Sequence, residues 1–340
     1  MKVVLKGYFD SNFGDDYMMR IIVRALPEFH FVVQEDNQYT QFILQEENVS
    51  VNKTPDKELP VLIVIGCGFM INTRAALQYE IRAFLRGYHP GDYCLGCNIE
   101  PYSNKVKEFL IKRKFRKFKL VVCRDIQSYD WLTRANLKNT KIYHLPDMLF
   151  SMPDEWIKKQ ENPDKLGISL WHRIGDKEDC GYYKSMAKAA DYWVEKTGKE
   201  VYLMAFDTGR EEDAIACRCV KDFMRYPHMA KIILHGKNDE ILIAFSECKK
   251  IIGARFHSAV LAMKMGIDFF FVVYREKMKN LMKNFDYPIK GCCIDDINLE
   301  EIKRFIDSDG VDFKLNEKVV KSANLYPRIF REEYEKNRGI

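Results

Sequence analysis

The sequence predicts two Rossmann-like α/β domains with parallel sheets, one after the other and enclosing a cleft. Three observations carry this. Short apolar runs alternate with stretches of helical periodicity. Glycines and charged residues stand directly after the apolar runs, where a parallel sheet places its strand-to-helix turns. The pattern also restarts after Asp147, past a charged, proline-containing linker at 151–164. The 340 residues suit about two domains at ~100–200 residues each, and we place them at 1–155 and 156–340.

In the first domain, Lys2–Leu5 reads as a strand ending in the turn Gly7-Tyr-Phe-Asp-Ser-Asn12-Phe-Gly14-Asp15-Asp16. A helix from about Tyr17 to Leu26 follows, stopped by Pro27. Phe29–Val33 and Val61–Ile65 are the next strands, the latter breaking into Gly66-Cys67-Gly68. A helix is expected between Arg74 and Arg86, then short strands at Tyr93–Leu95 and Leu120–Val122, and a helix from near Ser128. In the second domain, Leu166–Leu170 is a strand followed by Trp171-His172-Arg173. A helix from Tyr182 to Thr197 is closed by Gly198. Glu200–Phe206 is a strand, Asp207 to Asp213 a turn and helix start, and Lys231–Leu234 a strand. Asp239 is expected to cap a helix ending at Cys248. Then come the strand Lys250–Ile252, Gly253-Ala-Arg255-Phe-His257, a helix to Met265 and the strand Phe269–Tyr274. A partly helical tail begins near Asn316 and is expected at the domain junction.

Composition narrows the function. Hydrophobic residues at 47% and charged residues at 30% describe a chain that buries a core, which excludes disorder. The net charge of +5 is too dilute for a nucleic-acid binder. The dense basic run from Lys112 to Lys119 reads first as the solvated end of a helix, with contact to a membrane surface or an anionic substrate as the alternative. Ten cysteines, several in apolar runs, read as buried thiols, and with no signal-peptide core they indicate the cytoplasm. The Cys94-Leu-Gly-Cys97 pair lacks the partner pair that a zinc site needs, so no metal is expected. The apolar stretch from Ile251 to Tyr274 carries Arg255, His257, Lys264 and Asp268, too many ionisable groups for a membrane span.

The candidate site follows from these turns. Arg255-Phe-His257 starts a helix after a strand and a glycine. A helix N-terminus favours anions, arginine holds carboxylate or phosphate with two donors, and histidine moves a proton near neutral pH. Gly14, with Asn12, Asp15 and Asp16, forms a glycine turn with an acidic first helical turn. It is not a P-loop, and the GxGxxG spacing of a dinucleotide loop is absent. Gly66 and Gly68 allow close approach of a ligand. Arg173 follows a strand and could face the cleft; Tyr274 and Lys277 follow the next strand, where Lys277 could add a second positive group near the anion. Each also has a plain structural reading: a core histidine, a glycine turn, tight packing or a surface cation. Arg124-Asp125 and Asp147 end further strands, and Arg124-Asp125 reads as a structural ion pair.

Taken together these pieces resemble the polysaccharide pyruvyl transferase family. The matching segments are Asn12-Phe-Gly-Asp-Asp16, Val64-Ile-Gly-Cys-Gly68, Leu95-Gly96 with Pro101, Cys123-Arg-Asp-Ile-Gln-Ser128, Pro146-Asp147, and Ile252 to Ala262 with Gly266, Tyr274 and Lys277. They occur in family order over nearly the whole chain; Gly-Cys-Gly at 66–68 departs from the family's three glycines. The resemblance implies a GT-B-like fold and pyruvyl transfer from phosphoenolpyruvate to a sugar hydroxyl pair, with no cofactor beyond that donor. The acceptor is a sugar or glycan, and the basic run leaves open a lipid-linked one and peripheral membrane contact. The family's arginine and histidine map onto Arg255 and His257. The competing readings are a glycosyltransferase of the same build using a nucleotide sugar, and a non-catalytic glycan-binding protein.

Overall fold

A computed structural model of the chain describes residues 1–54, 58–66, 91–99, 105–158, 160–173, 181–289, 291–311 and 313–340. The expected helix between Arg74 and Arg86, together with Cys67, Gly68 and Pro101, lies outside these residues. The chain forms two compact units. One comprises Met1–Phe9, Asp15–Ser151 and Glu317–Ile340, and the other Asp10–Gly14 and Met152–Asn316.

The first unit holds seven strands among the described residues: β1 (Lys2–Lys6), β2 (His30–Val33), β3 (Val49–Val51), β4 (Val61–Val64), β5 (Tyr93–Cys97), β6 (Leu120–Cys123) and β7 (Lys141–His144). Their order is β3-β2-β1-β4-β5-β6-β7, and every pairing is parallel. The central strands are apolar on both faces because helices cover both: Leu5, Leu62, Leu95 and Val122 are all fully buried. The tail supplies the helix Tyr326–Arg338, whose Phe330 and Tyr334 pack on Phe29 and Tyr93.

The second unit repeats this design with β8 (Lys165–Leu170), β9 (Val201–Ala205), β10 (Ala230–Leu234), β11 (Cys248–Gly253), β12 (Asp268–Val273) and β13 (Cys292–Cys293). The order is β10-β9-β8-β11-β12-β13, again all parallel. Strand order reverses between β8 and β11. This is the topological switch point, where an open parallel sheet leaves a crevice at its carboxyl ends.

Local physics explains where the chain departs from expectation. The first helix begins at Phe13, a turn earlier than its periodicity suggests, because the Asn12 side-chain oxygen accepts from the Gly14 amide at 3.1 Å and so opens the helix. Asp239 stands before the helix Glu240–Ser246 but makes no side-chain cap, its backbone being left-handed at φ 59°. Cys248 starts a strand rather than ending that helix. Arg124 pairs with Asp147 at 2.8 Å in a buried bridge, while its neighbour Asp125 caps the helix Ile126–Arg134 through the Ser128 amide. Cys94, Cys97 and Cys123 are fully buried. Among the described residues, no helix is long and apolar enough to cross a membrane.

Candidate active site

The carboxyl ends of three adjacent strands, β9, β8 and β11, meet in the second unit. β11 ends at Gly253, where a Cβ would stand 2.3 Å from the Phe269 ring and 2.8 Å from Ser258 Oγ, so only glycine fits. The next amide, Ala254, donates to Ser169 O of β8 at 2.9 Å. Arg255 then takes extended backbone and opens the helix Phe256–Met265. Arg255 and His257 are both buried.

Burial would expel a lone guanidinium charge, and three hydrogen bonds to carboxylates hold it in place. Arg255 Nε donates to Asp213 Oδ2 at 2.7 Å, Nη2 donates to Asp213 Oδ1, and Nη1 donates to Glu211 Oε2. Burial lowers its affinity for a proton, but Asp213 and Glu211 outweigh this, and Arg255 stays charged with its pKa raised. Three of its five N–H donors are therefore committed within the unit. One N–H on each of Nη1 and Nη2 has no partner among the described residues.

The carboxylates are themselves fixed by backbone. Asp213 accepts from the amides of His172 at 3.0 Å and Asp207 at 2.9 Å. Asp207, fully buried, accepts from the Gly209 and Glu211 amides on one oxygen, each at 3.1 Å. Its other oxygen accepts from Asn12 Nδ2 at 3.1 Å. Burial pushes the Asp207 carboxyl up to about 6, against the pull of Arg255 and of the Asn12 hydrogen bond. Burial also raises Glu211, but the charges of Arg255 and Lys277 more than reverse it, leaving Glu211 below the usual carboxylate range.

Asn12 belongs to a strap, Asp10–Gly14, that pairs with the turn after β9. Phe13 N donates to Phe206 O at 2.8 Å and Thr208 N to Ser11 O at 3.1 Å, around an antiparallel bridge between Asn12 and Asp207. The strap ends against the histidine. A Cβ on Gly14 would lie 1.7 Å from His257 Nδ1, 2.1 Å from Cε1 and 2.2 Å from Cγ. An in-plane approach to Nδ1 would leave Cγ and Cε1 much farther off than Nδ1 itself, so the imidazole packs face-on across Gly14. Its two nitrogen edges point along the ring plane, away from that contact.

Trp171, from the end of β8, and Tyr274, from the end of β12, come from the two strands that flank β11. Their rings stack at 4.2 Å and 33°. Trp171 Nε1 donates to Glu211 Oε2 at 3.1 Å. Lys277 Nζ lies 5.7 Å from the Tyr274 ring centre and 5.4 Å from that of Phe256. A cation on an aromatic shelf beside a charged arginine frame suits a small, multiply charged anion.

The structure thus gathers Asn12, Gly14, Arg255, His257, Tyr274 and Lys277 in one unit. Arg173 donates instead to the exposed Asp295 at 3.1 Å. Asp15, Asp16 and Gly66 belong to the first unit, where Asp15 Oδ1 accepts from the Gly66 amide at 2.7 Å and Asp16 is buried. Gly68 lies outside the described residues. Sequence reasoning assigned no chemistry to Asp207, Glu211 or Asp213, which were read as a turn and helix start. The available signal was the recurrence of acids in one strand-to-helix turn of a sheet that also buries an arginine.

A family model described as Polysaccharide pyruvyl transferase matches residues 12–276, which includes Asn12 and Gly14 of the strap and Arg255, His257 and Tyr274, and ends one residue before Lys277. A curated relative, the amylovoran biosynthesis protein AmsJ of Erwinia amylovora, is 19% identical over 253 residues, covering 68% of this chain and 61% of that protein. Among solved structures, the UDP-GlcNAc 2-epimerase of Methanocaldococcus jannaschii superposes with a TM-score of 0.60 at 12% identity, covering 97% of this chain and 99% of the other. The Neisseria meningitidis enzyme of the same name gives 0.56 at 10% identity, covering 98% and 100%. These likenesses show a GT-B-type fold of two parallel-sheet α/β domains.

Proposed function

We propose, from the premise that this chain belongs to the polysaccharide pyruvyl transferase family, that it moves the enolpyruvyl-derived group of phosphoenolpyruvate onto a hydroxyl pair of a glycan precursor. The product is a cyclic ketal, and phosphate is released. The observation that carries the reading is the pairing of a fixed, charged Arg255 with a seated His257 at the switch point, inside the matched span.

The chemistry asks for these groups in turn. Phosphoenolpyruvate brings a carboxylate and a phosphate, for which Lys277 and the two remaining Arg255 N–H groups supply positive donors. Imidazolium His257 gives its proton to the methylene carbon, which becomes a methyl group, and positive charge develops at the adjacent carbon. One sugar hydroxyl attacks that carbon and its proton restores His257. Phosphate departs with the electrons of its carbon–oxygen bond. The second hydroxyl closes the ketal, and its proton leaves on phosphate. Atoms and charge balance with no cofactor.

The acceptor belongs to polysaccharide synthesis, in line with the family and with the amylovoran relative. The described cysteines are free thiols, most of them buried, which supports action in a reducing cytoplasm. The basic run that ends the helix Lys105–Phe115 supports a lipid-linked acceptor approached at a membrane face. The test is phosphate release from phosphoenolpyruvate in the presence of a panel of glycan acceptors, with mass spectrometry of the product. A ketal-bearing product formed by the wild type and lost in His257→Ala is expected. Release of a nucleoside diphosphate from a nucleotide sugar, with phosphoenolpyruvate inert, would replace this reading with a glycosyl transfer.

A further inference from the structure

The Asn12–Asp207 contact has no place in the chemistry above, yet it closes a ring of bonds around the reacting side chain. From Arg255 the ring runs to Asp213 by the paired hydrogen bonds. It continues from Asp213 to the Asp207 amide at 2.9 Å and from the Asp207 carboxylate to Asn12 Nδ2 at 3.1 Å. Asn12 Oδ1 then takes the Gly14 amide at 3.1 Å, and the Gly14 backbone lies under the imidazole of His257. Residues 255 and 257 are thus tied at both ends to one frame, though only a single residue separates them in the chain. Two further contacts stiffen the strap. The Phe13 ring meets Phe206 edge-on at 5.0 Å, and Gly209 leaves no room for a Cβ against Asp10 O, which would stand 2.0 Å away.

We propose that Asn12 and Asp207 are positioning residues: their side-chain hydrogen bond presses the Gly14 backbone against His257 and fixes the plane of its imidazole. Both oxygens of Asp207 are engaged inside the frame, and Asn12 contributes one Nδ2 N–H and its Oδ1 to it. The consequence of positioning for turnover rests on reading His257 as the proton donor; the positioning itself does not.

The geometry supplies its own test, because the pair can be exchanged. Asn12→Asp alone sets two carboxylates face to face. Asp207→Asn alone offers Asn12 a mismatched amide. In the double variant, Asp at 12 accepts from the Gly14 amide and from the new amide at 207. That amide's oxygen still accepts from Gly209 and Glu211. The bond between 12 and 207 returns with donor and acceptor reversed, the backbone amides donate as before, and the net charge is unchanged.

The measurement is the histidine Cε1–H and ring 15N spectrum of the full chain. With seven histidines it can be resolved, and His257→Ala assigns the signal. In parallel, kcat and KM for phosphoenolpyruvate are followed with an acceptor. Each single variant is expected to shift or broaden the His257 signals and to lower kcat by about 10²-fold, the effect of a misplaced reacting group, with KM moving less than about threefold by the same reasoning. The exchanged pair restores both. Where Asn12→Asp fails to fold, Asn12→Ser keeps an acceptor for the Gly14 amide, removes the donor to Asp207 and serves in its place. Unmoved His257 signals in the single variants, or an exchanged pair as damaged as either single, overturn the proposal. If the spectra obey the cycle but no variant nor the wild type turns over phosphoenolpyruvate, the positioning stands and the pyruvyl transfer falls.

Discussion

Arg255 and Asp213 meet as a buried two-pronged pair, Nε to Oδ2 at 2.7 Å and Nη2 to Oδ1, with both side chains closed to solvent. Removing either partner strands the other as a buried charge. Asp213→Ala should therefore cost about 3–5 kcal/mol of stability. Arg255→Lys should lose a large share of the same amount, since an ammonium cannot serve both oxygens and Glu211 together. Urea denaturation followed by circular dichroism measures both.

Gly14→Ala tests the seating of the imidazole. Gly14 lies within the first turn of the helix Phe13–Ala25. The added Cβ would occupy the His257 ring at 1.7 Å, so the imidazole must move. The overpacking should cost about 1–3 kcal/mol of stability, and kcat should fall by about 10²–10⁴-fold, the range for loss of a positioned acid. Thermal melting and steady-state kinetics together check it.

Asp207 gives stability a pH dependence of defined sign. Burial raises its carboxyl from 3.8 to about 6 in the folded chain, so the folded state holds this proton more tightly than the unfolded one. Between these values the folded state binds more protons, and stability falls as pH rises. The contribution is full below about pH 4 and gone above about pH 6, a difference of about 3 kcal/mol for two units. Asp207→Asn cannot titrate. Subtracting its denaturation profile from that of wild type should leave this downward step, whereas a rising or flat difference contradicts it.

Lys250 tests a purely structural element. It is buried at a register shift in β11, and its Nζ donates to the carbonyls of Phe305, Ile306 and Ser308 at 2.5, 3.2 and 2.6 Å, closing the helix Leu299–Asp307. Lys250→Met keeps the stem and removes the donors. The orphaned carbonyls should cost about 1–3 kcal/mol, and kcat should stay unchanged, since Lys250 bonds only to the end of that helix.

Much of this fold was legible because the central strands are continuous apolar runs ending in glycine or charge. Phe269–Tyr274 and Val61–Ile65 were placed to within a residue on that signal. β3 and β7 were not, because Val-Ser-Val and Lys-Ile-Tyr-His lie at sheet edges, half exposed, where burial no longer writes an apolar code. At the site, Arg255 and His257 stood out because helix starts favour their chemistry. The acids that hold Arg255 did not, since Asp207 to Asp213 reads locally as a polar turn. Only the sheet order, with β9 and β11 flanking β8, brings that turn to the arginine. Asn12 and Gly14 were legible as a motif but not in their contacts, because nothing in the spacing says that residues 10–14 pair with a turn after residue 206.

Titration calorimetry with phosphoenolpyruvate tests the central claim most directly, using wild type and Lys277→Ala, with UDP as the competing ligand. Lys277 is half-buried and makes none of the hydrogen bonds that hold Arg255, so its loss leaves those bonds in place. Saturable binding of phosphoenolpyruvate is expected, weakened about tenfold to a hundredfold in the variant, as one charge-assisted hydrogen bond of about 1.5–3 kcal/mol requires, with no binding of UDP. Binding of UDP together with silence toward phosphoenolpyruvate would contradict that claim.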